Sequence, residues 1–157
     1  MKIIFLMLGK TGHEGVDAMT RDYEKRISHY VDFSMKVLPS AKAVKTTDER
    51  LLKEKEAALL LKEILPGDEV ILLDEKGKEF STVEMATWLQ KKQNSGKKRL
   101  VFICGGAYGF DEKIYAMAHE QIALSRLTFP HLLVRLIFSE QLYRVLTVLK
   151  GEKYHHV

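Results

Sequence analysis

Short apolar runs alternate with segments of helical periodicity along the whole of this chain, and that alternation constrains the fold more than any other feature. The runs cover residues 2–8, 33–38, 70–74, 100–104 and 122–125. Ile3-Ile4-Phe5-Leu6-Met7-Leu8 has no polar alternate positions, so as a strand it must be covered on both faces. The intervening segments can supply the cover. Residues 16–30 carry Met19, Tyr23 and Ile27 on one helical face, and residues 47–65 form a long amphipathic pattern that stops before Pro66-Gly67. Lys76-Gly77 marks a turn after the third run. Ser81-Thr82-Val83-Glu84 then has capping-box spacing, opening a helix that carries the single tryptophan, Trp88. Residues 111–119 predict a short helix, and residues 130–149 a long one with Pro130 at its start. The expected fold is α/β, a mainly parallel sheet flanked by helices. Ligands of such sheets sit at the carboxyl ends of the strands. Three loops are therefore candidates: those after Leu73, after Cys104 and after Ser125.

The chain has 157 residues, no internal repeat and no linker, which predicts a single domain over 1–157. A domain of this size buries roughly 70% of its unfolded surface and needs no staple. One cysteine, Cys104, leaves no intrachain disulfide partner and suits a reducing cytoplasm. The opening apolar run is too short for a membrane span, and residues 132–138 are interrupted by Arg135, so no membrane association is expected. A net charge of +4 favours an anionic partner such as nucleic acid.

Several familiar chemistries fail on spacing. Gly9-Lys10-Thr11-Gly12 lacks the upstream glycine of a phosphate-binding loop, since Ile4 stands there, and reads as a flexible turn. Cys104 ends a strand with no histidine near it in sequence and reads as core packing. The adjacent His155 and His156 are not spaced to converge on a metal, so none is expected. Gly105-Gly106-Ala107-Tyr108-Gly109 permits either close backbone approach to a ligand or a tight strand–helix turn. The last helix is apolar around most of its circumference, which predicts burial against a second subunit as well as the sheet. It also carries a polar stripe, His131, Arg135 and Ser139, and an i,i+4 pair, Glu140 and Arg144. A ligand, a second subunit or an internal salt bridge could satisfy that stripe.

The blocks Leu124-Ser125-Arg126-Leu127-Thr128-Phe129-Pro130-His131, Leu133-Val134-Arg135, Glu140-Gln141-Leu142-Tyr143-Arg144 and Gly151-Glu152-Lys153-Tyr154-His155 resemble the RlmH family, the bacterial ribosomal RNA large subunit methyltransferases H of the SPOUT class. The resemblance extends from the opening strand and Gly9, through Leu73-Asp74 and Gly77-Lys78, to Gly105-Gly106 and the tail. It implies a trefoil-knotted α/β fold, with the knot within about residues 100–157, and a homodimer. It also implies S-adenosylmethionine as methyl donor, no metal, and methylation at N3 of a pseudouridine in a hairpin loop of 23S large-subunit rRNA on the assembled ribosome. Cofactor contacts carry over to Leu73, Gly105, Leu124, Ser125, Arg126, Leu127, Thr128 and Phe129. For the chemistry that this reaction requires, Tyr154 and His155, with a partner subunit as one source of them, are assigned substrate positioning, Arg135 phosphate binding or stabilisation of the developing imidate, and His155 or His131 the role of base. Two departures from the family pattern are Ala107-Tyr108 in the glycine loop and His156-Val157 at the end.

Lys97, Lys98, Arg99, Lys150 and Lys153 are candidates for a basic surface facing RNA, or equally a solvated charged face. Competing readings are a methyltransferase of the same class acting on tRNA, a catalytically silent ribosome-binding module, and a nucleotide-binding α/β protein or hydrolase. The failed phosphate loop and unsupported Cys104 weigh against the last.

Overall fold

The computed structural model describes residues 1–9, 12–39 and 48–155. Lys10 and Thr11 of the first turn, Thr47 at the expected start of the second helix, and His156-Val157 lie outside the described residues. The elements run β1 (Lys2–Leu8), α1 (Glu14–Ser28), β2 (Phe33–Leu38), α2 (Glu49–Leu61), β3 (Glu69–Glu79), α3 (Thr82–Asn94), β4 (Arg99–Cys104), α4 (Glu112–Met117), β5 (Glu120–Ala123) and α5 (His131–Leu149). The strands form one sheet in the order β2-β1-β4-β3-β5, and every pairing is parallel. The expected α/β architecture is therefore present.

Side-chain alternation divides each central strand between two cores. Ile3, Phe5 and Met7 of β1 face a layer built by α1, α3 and α5, which bring in Ile27, Leu89 and Phe138. Ile4, Leu6 and Leu8 face the opposite layer, where α2 and α4 contribute Leu60 and Ile114. Phe138 joins α5 to the sheet, its ring centroid 4.4 Å from that of Phe5 and 4.7 Å from that of Phe102. All three rings are fully buried, each contributing about 1.5–3 kcal/mol.

The helix starts follow local chemistry. Ser81 and Glu84 make both halves of the expected capping box, and Asp48 and Asp111 cap α2 and α4. His13 caps α1 by accepting from the Val16 amide, so that helix begins two residues before the expected position. At the amino ends of the strands, Lys92 bonds Glu69 at 2.6 Å and also pairs with Glu120, while Arg99 meets Asp68 at 3.1 Å. Burial opposes charge on both Lys92 and Glu69, yet the Lys92 pKa rises and the Glu69 pKa falls because the opposite charges outweigh it.

The third strand departs from expectation. It does not end at Lys76-Gly77. Leu73 pairs with Ile122, the chain leaves the ladder, and Lys78 returns to pair with the same Ile122. Residues 74–77 are thus an excursion from a strand that continues to Glu79. Gly77 makes the return possible. A Cβ there would stand 2.5 Å from the backbone of Gln121 and Ile122. Gly77→Ala should therefore destabilise the protein by about 2–3 kcal/mol in urea unfolding, through forced separation of β3 and β5. An unchanged midpoint would show that the strands part without cost.

Candidate functional site

The excursion of β3 and the loops leaving the carboxyl ends of β4 and β5 close around a pocket of about 820 Å³. Leu73, Asp74, Glu75 and Lys76 form the first wall, and residues 104–110 the second. The third comprises Leu124, Ser125, Leu127, Thr128 and Phe129, continued by Pro130, His131 and Val134 at the start of α5. Lys53 from α2 and Tyr115 from α4 complete the lining. These are the three loops that strand polarity singles out in the sequence.

The glycine loop is shaped by close packing. A Cβ on Gly105 would lie 3.0 Å from the Phe110 ring, and one on Gly106 would collide with the Glu56 carboxylate. Gly109 has a φ of +77°, and its amide donates to the Gly106 carbonyl at 3.2 Å. The tight turn and the open wall are one arrangement: main chain, without side chains, faces the pocket at Gly105 and Gly106.

Of the eight residues carried over as cofactor contacts, seven line the pocket. Arg126 does not; its side chain turns outward and pairs with Glu79 at 3.0 Å. The four residues carried over for catalysis are not brought together within one chain. His131 lines the pocket. Arg135, one turn further along α5, is buried and donates from Nη2 to the Leu8 carbonyl at 3.1 Å. Burial lowers its pKa, against opposing effects of Cys104 and Asp17. The polar stripe is partly satisfied internally, because Ser139 donates to the Arg135 carbonyl at 2.7 Å.

Tyr154 and His155 follow the far end of α5. The Tyr154 hydroxyl donates to Glu140 at 3.1 Å and lies 3.5 Å from that of Tyr23. Its ring packs edge-on against Tyr143, centroids 4.8 Å apart, beneath the Arg144 guanidinium. Burial, Tyr23 and Glu140 together push its pKa up. Glu140 also accepts from Arg144 Nε at 3.0 Å, the i,i+4 pair expected from sequence. Glu140 lies nine positions along the helix from His131, a distance of about 14 Å.

Sequence reasoning missed Lys53 and Tyr115 of the lining altogether, and gave Asp74 and Tyr108 only as members of candidate loops, without a role. Asp74 could have been found, as the first residue past a buried strand end. Nothing in the sequence pairs it with Tyr115, whose hydroxyl donates to Asp74 Oδ2 at 2.6 Å. Burial and this carboxylate push the Tyr115 phenol up to about 12.

Cys104 sits at the pocket base but is only 6% exposed, and burial pushes its thiol up to about 11 despite nearby Arg135. A thiol of that kind is protonated at neutral pH and a poor nucleophile. Native protein at pH 8 should react with a disulfide reagent at least about 100-fold more slowly than urea-unfolded protein. Equal rates would return Cys104 to the candidate nucleophiles.

With the geometry in place, comparison with known proteins identifies its kind. The family model described as "Predicted SPOUT methyltransferase" matches residues 1–155. The chain is 48% identical over 156 residues to a ribosomal RNA large subunit methyltransferase H of Parabacteroides distasonis, and 49% identical to one of Phocaeicola vulgatus. Each match covers 99% of both chains. In shape it resembles a probable methylase family protein from Haemophilus influenzae Rd KW20, with a TM-score of 0.52 at 11% identity, covering 99% of this chain and 70% of that one. The chain belongs to the SPOUT methyltransferases, within the branch of the ribosomal RNA large subunit methyltransferases H.

Proposed function

We propose that the protein methylates N3 of a pseudouridine in a hairpin loop of 23S large-subunit rRNA, on the assembled ribosome, with S-adenosylmethionine as donor. The observation that carries this reading is the convergence of Leu73, Gly105 and residues 124–129, save Arg126, on one pocket at the strand ends. The relatives named above, called ribosomal RNA large subunit methyltransferase H, supply the target class. The pocket suits an S-adenosyl group. Its volume lies in the ordinary range for ligand sites, and its walls combine Leu73, Leu124, Leu127 and Phe129 with main chain at Gly105 and Gly106. Such walls exclude water from apolar parts of a nucleoside while the backbone hydrogen-bonds its edge.

When bound, the donor supplies an electrophilic methyl group, so the protein's part is alignment and removal of the N3 proton. His131 lines the pocket, and an imidazole is the side chain whose ordinary protonation change falls nearest neutral pH. Arg135 anchors the start of α5 to the end of β1 and so fixes His131 relative to the sheet. Tyr154 and His155 reach substrate from a partner subunit in this reading. A homodimer in the cytoplasm is accordingly part of the proposal. Leu133 of α5 and Met19 of α1, 40% and 54% exposed, are apolar surface suited to that contact. The trefoil knot implied by the family resemblance belongs to the same proposal.

The test is tritiated methyl transfer from S-adenosylmethionine to intact ribosomes, separated subunits and bulk tRNA, with ribosomes from a strain lacking the enzyme. Label in large-subunit rRNA of intact ribosomes is expected. Label in tRNA alone would overturn the target, and cofactor binding without label anywhere would favour a silent ribosome-binding module. Tyr154→Ala should lower transfer at least about 100-fold and leave donor affinity within about 2-fold. Unchanged turnover would remove Tyr154 from the mechanism.

A further inference from the structure

The excursion of β3 is pinned at both ends, although its side chains at Glu75 and Lys76 are exposed. Its far end is held by the close approach of Gly77 to the β5 backbone. Its near end is held by Asp74, whose Oδ1 accepts from the Lys76 amide at 2.9 Å while Oδ2 accepts from Tyr115 at 2.6 Å. One carboxylate thus ties the excursion to itself and to an element of the neighbouring wall.

Tyr115 carries the link onward. Its ring meets that of Phe110 edge to face, with centroids 5.6 Å apart. Phe110 in turn is the ring against which Gly105 packs. A Cβ on Gly109 would also lie 3.6 Å from the Tyr115 hydroxyl. A continuous chain of contacts therefore runs Asp74, Tyr115, Phe110, Gly105, from the first wall of the pocket to the second. Asp74 and Tyr115 are 41 positions apart, and each lies in an irregular or short element that would otherwise position itself weakly.

We propose that the Asp74–Tyr115 hydrogen bond is a positioning clamp that sets the separation of the β3 excursion and the glycine loop, and with it the affinity for the S-adenosyl group shared by methyl donor and spent product. The inference rests on the cofactor reading above and deepens it by naming residues that act through Leu73 and Gly105. A clamp of this kind acts on both nucleosides alike, because it shapes the walls. A carboxylate that touched the sulfonium directly would favour the cationic donor alone.

The test is calorimetric titration of the full chain with S-adenosylmethionine and with S-adenosylhomocysteine, alongside unfolding midpoints without ligand. Tyr115→Phe should weaken both ligands by about 5- to 10-fold, the loss of one charge-assisted hydrogen bond. Asp74→Ala should do the same or more, and adding Tyr115→Phe to it should cost nothing further, since the bond is already gone. Asp74→Asn keeps one oxygen to accept from the Lys76 amide and turns its NH2 toward the Tyr115 phenol oxygen, a neutral bond of reversed direction, and should recover part of the affinity lost in Asp74→Ala. Unchanged affinities in Tyr115→Phe, weakening confined to S-adenosylmethionine, or equal defects in the Asn and Ala variants would each overturn the clamp alone. A wild-type protein that binds neither nucleoside would overturn the cofactor reading and the clamp with it.

Discussion

Burial of the sheet on both faces governs everything else in this molecule. The central strands β1 and β4, with residues 70–73 of β3, place almost every side chain in one of two cores, so neither face has room for polar chemistry. Function is pushed to the strand ends. At the amino ends, Asp68, Glu69, Lys92, Arg99 and Glu120 neutralise one another, and the charges there fasten β3, β4 and β5 together. At the carboxyl ends the chain opens into loops whose main chain lines the pocket at Gly105 and Gly106, and those loops are where a ligand can be met.

The polar stripe of α5 shows how one helix serves both requirements. Phe138 and Leu142 hold it to the sheet, fully buried. On the same helix, His131 lines the pocket, Arg135 ties back to the end of β1, and Glu140 receives the returning tail through Tyr154. Arg135 gives up hydration for this, as its lowered pKa reflects, and a carbonyl at the end of a central strand compensates in part. Position along α5 separates the roles of these side chains by turns of helix. Tyr154 is accordingly remote from the pocket of its own chain, and the proposed homodimer is the arrangement that would bring the two together.

Much of this was legible from residue order because burial leaves a strong signature. The five strands, the capping box at Ser81 and the three loops all follow from apolar runs and their polarity along the chain. The second half of β3 was hidden for a physical reason. Lys78 and Glu79 are exposed, and their pairing with β5 is made by backbone atoms that side-chain patterning does not report. β5 was displaced by two residues, since Leu124 continues its apolar character into the loop and its first two residues, Glu120 and Gln121, are polar. The start of α1 was missed because a histidine acts as its cap, where Ser, Thr, Asp or Asn is the usual signal. In the pocket, residues contributed by backbone or by apolar side chains were foreseen through resemblance. The Asp74–Tyr115 contact was not, because no local rule connects a strand end with a helix 41 residues later.

The return of β3 to its ladder has an evolutionary corollary. Both departures and arrivals are made on Ile122, in a strand of four residues that offers no alternative partner. A residue added between Asp74 and Lys78 must be taken up at Glu75 and Lys76 if both pairings with Ile122, and the approach of Phe80 to Trp88 at 6.1 Å, are to be kept. Most surface loops drift in length more readily than in structure. This one is free to vary in composition at Glu75 and Lys76, whereas any change in its length must be absorbed between two fixed ends.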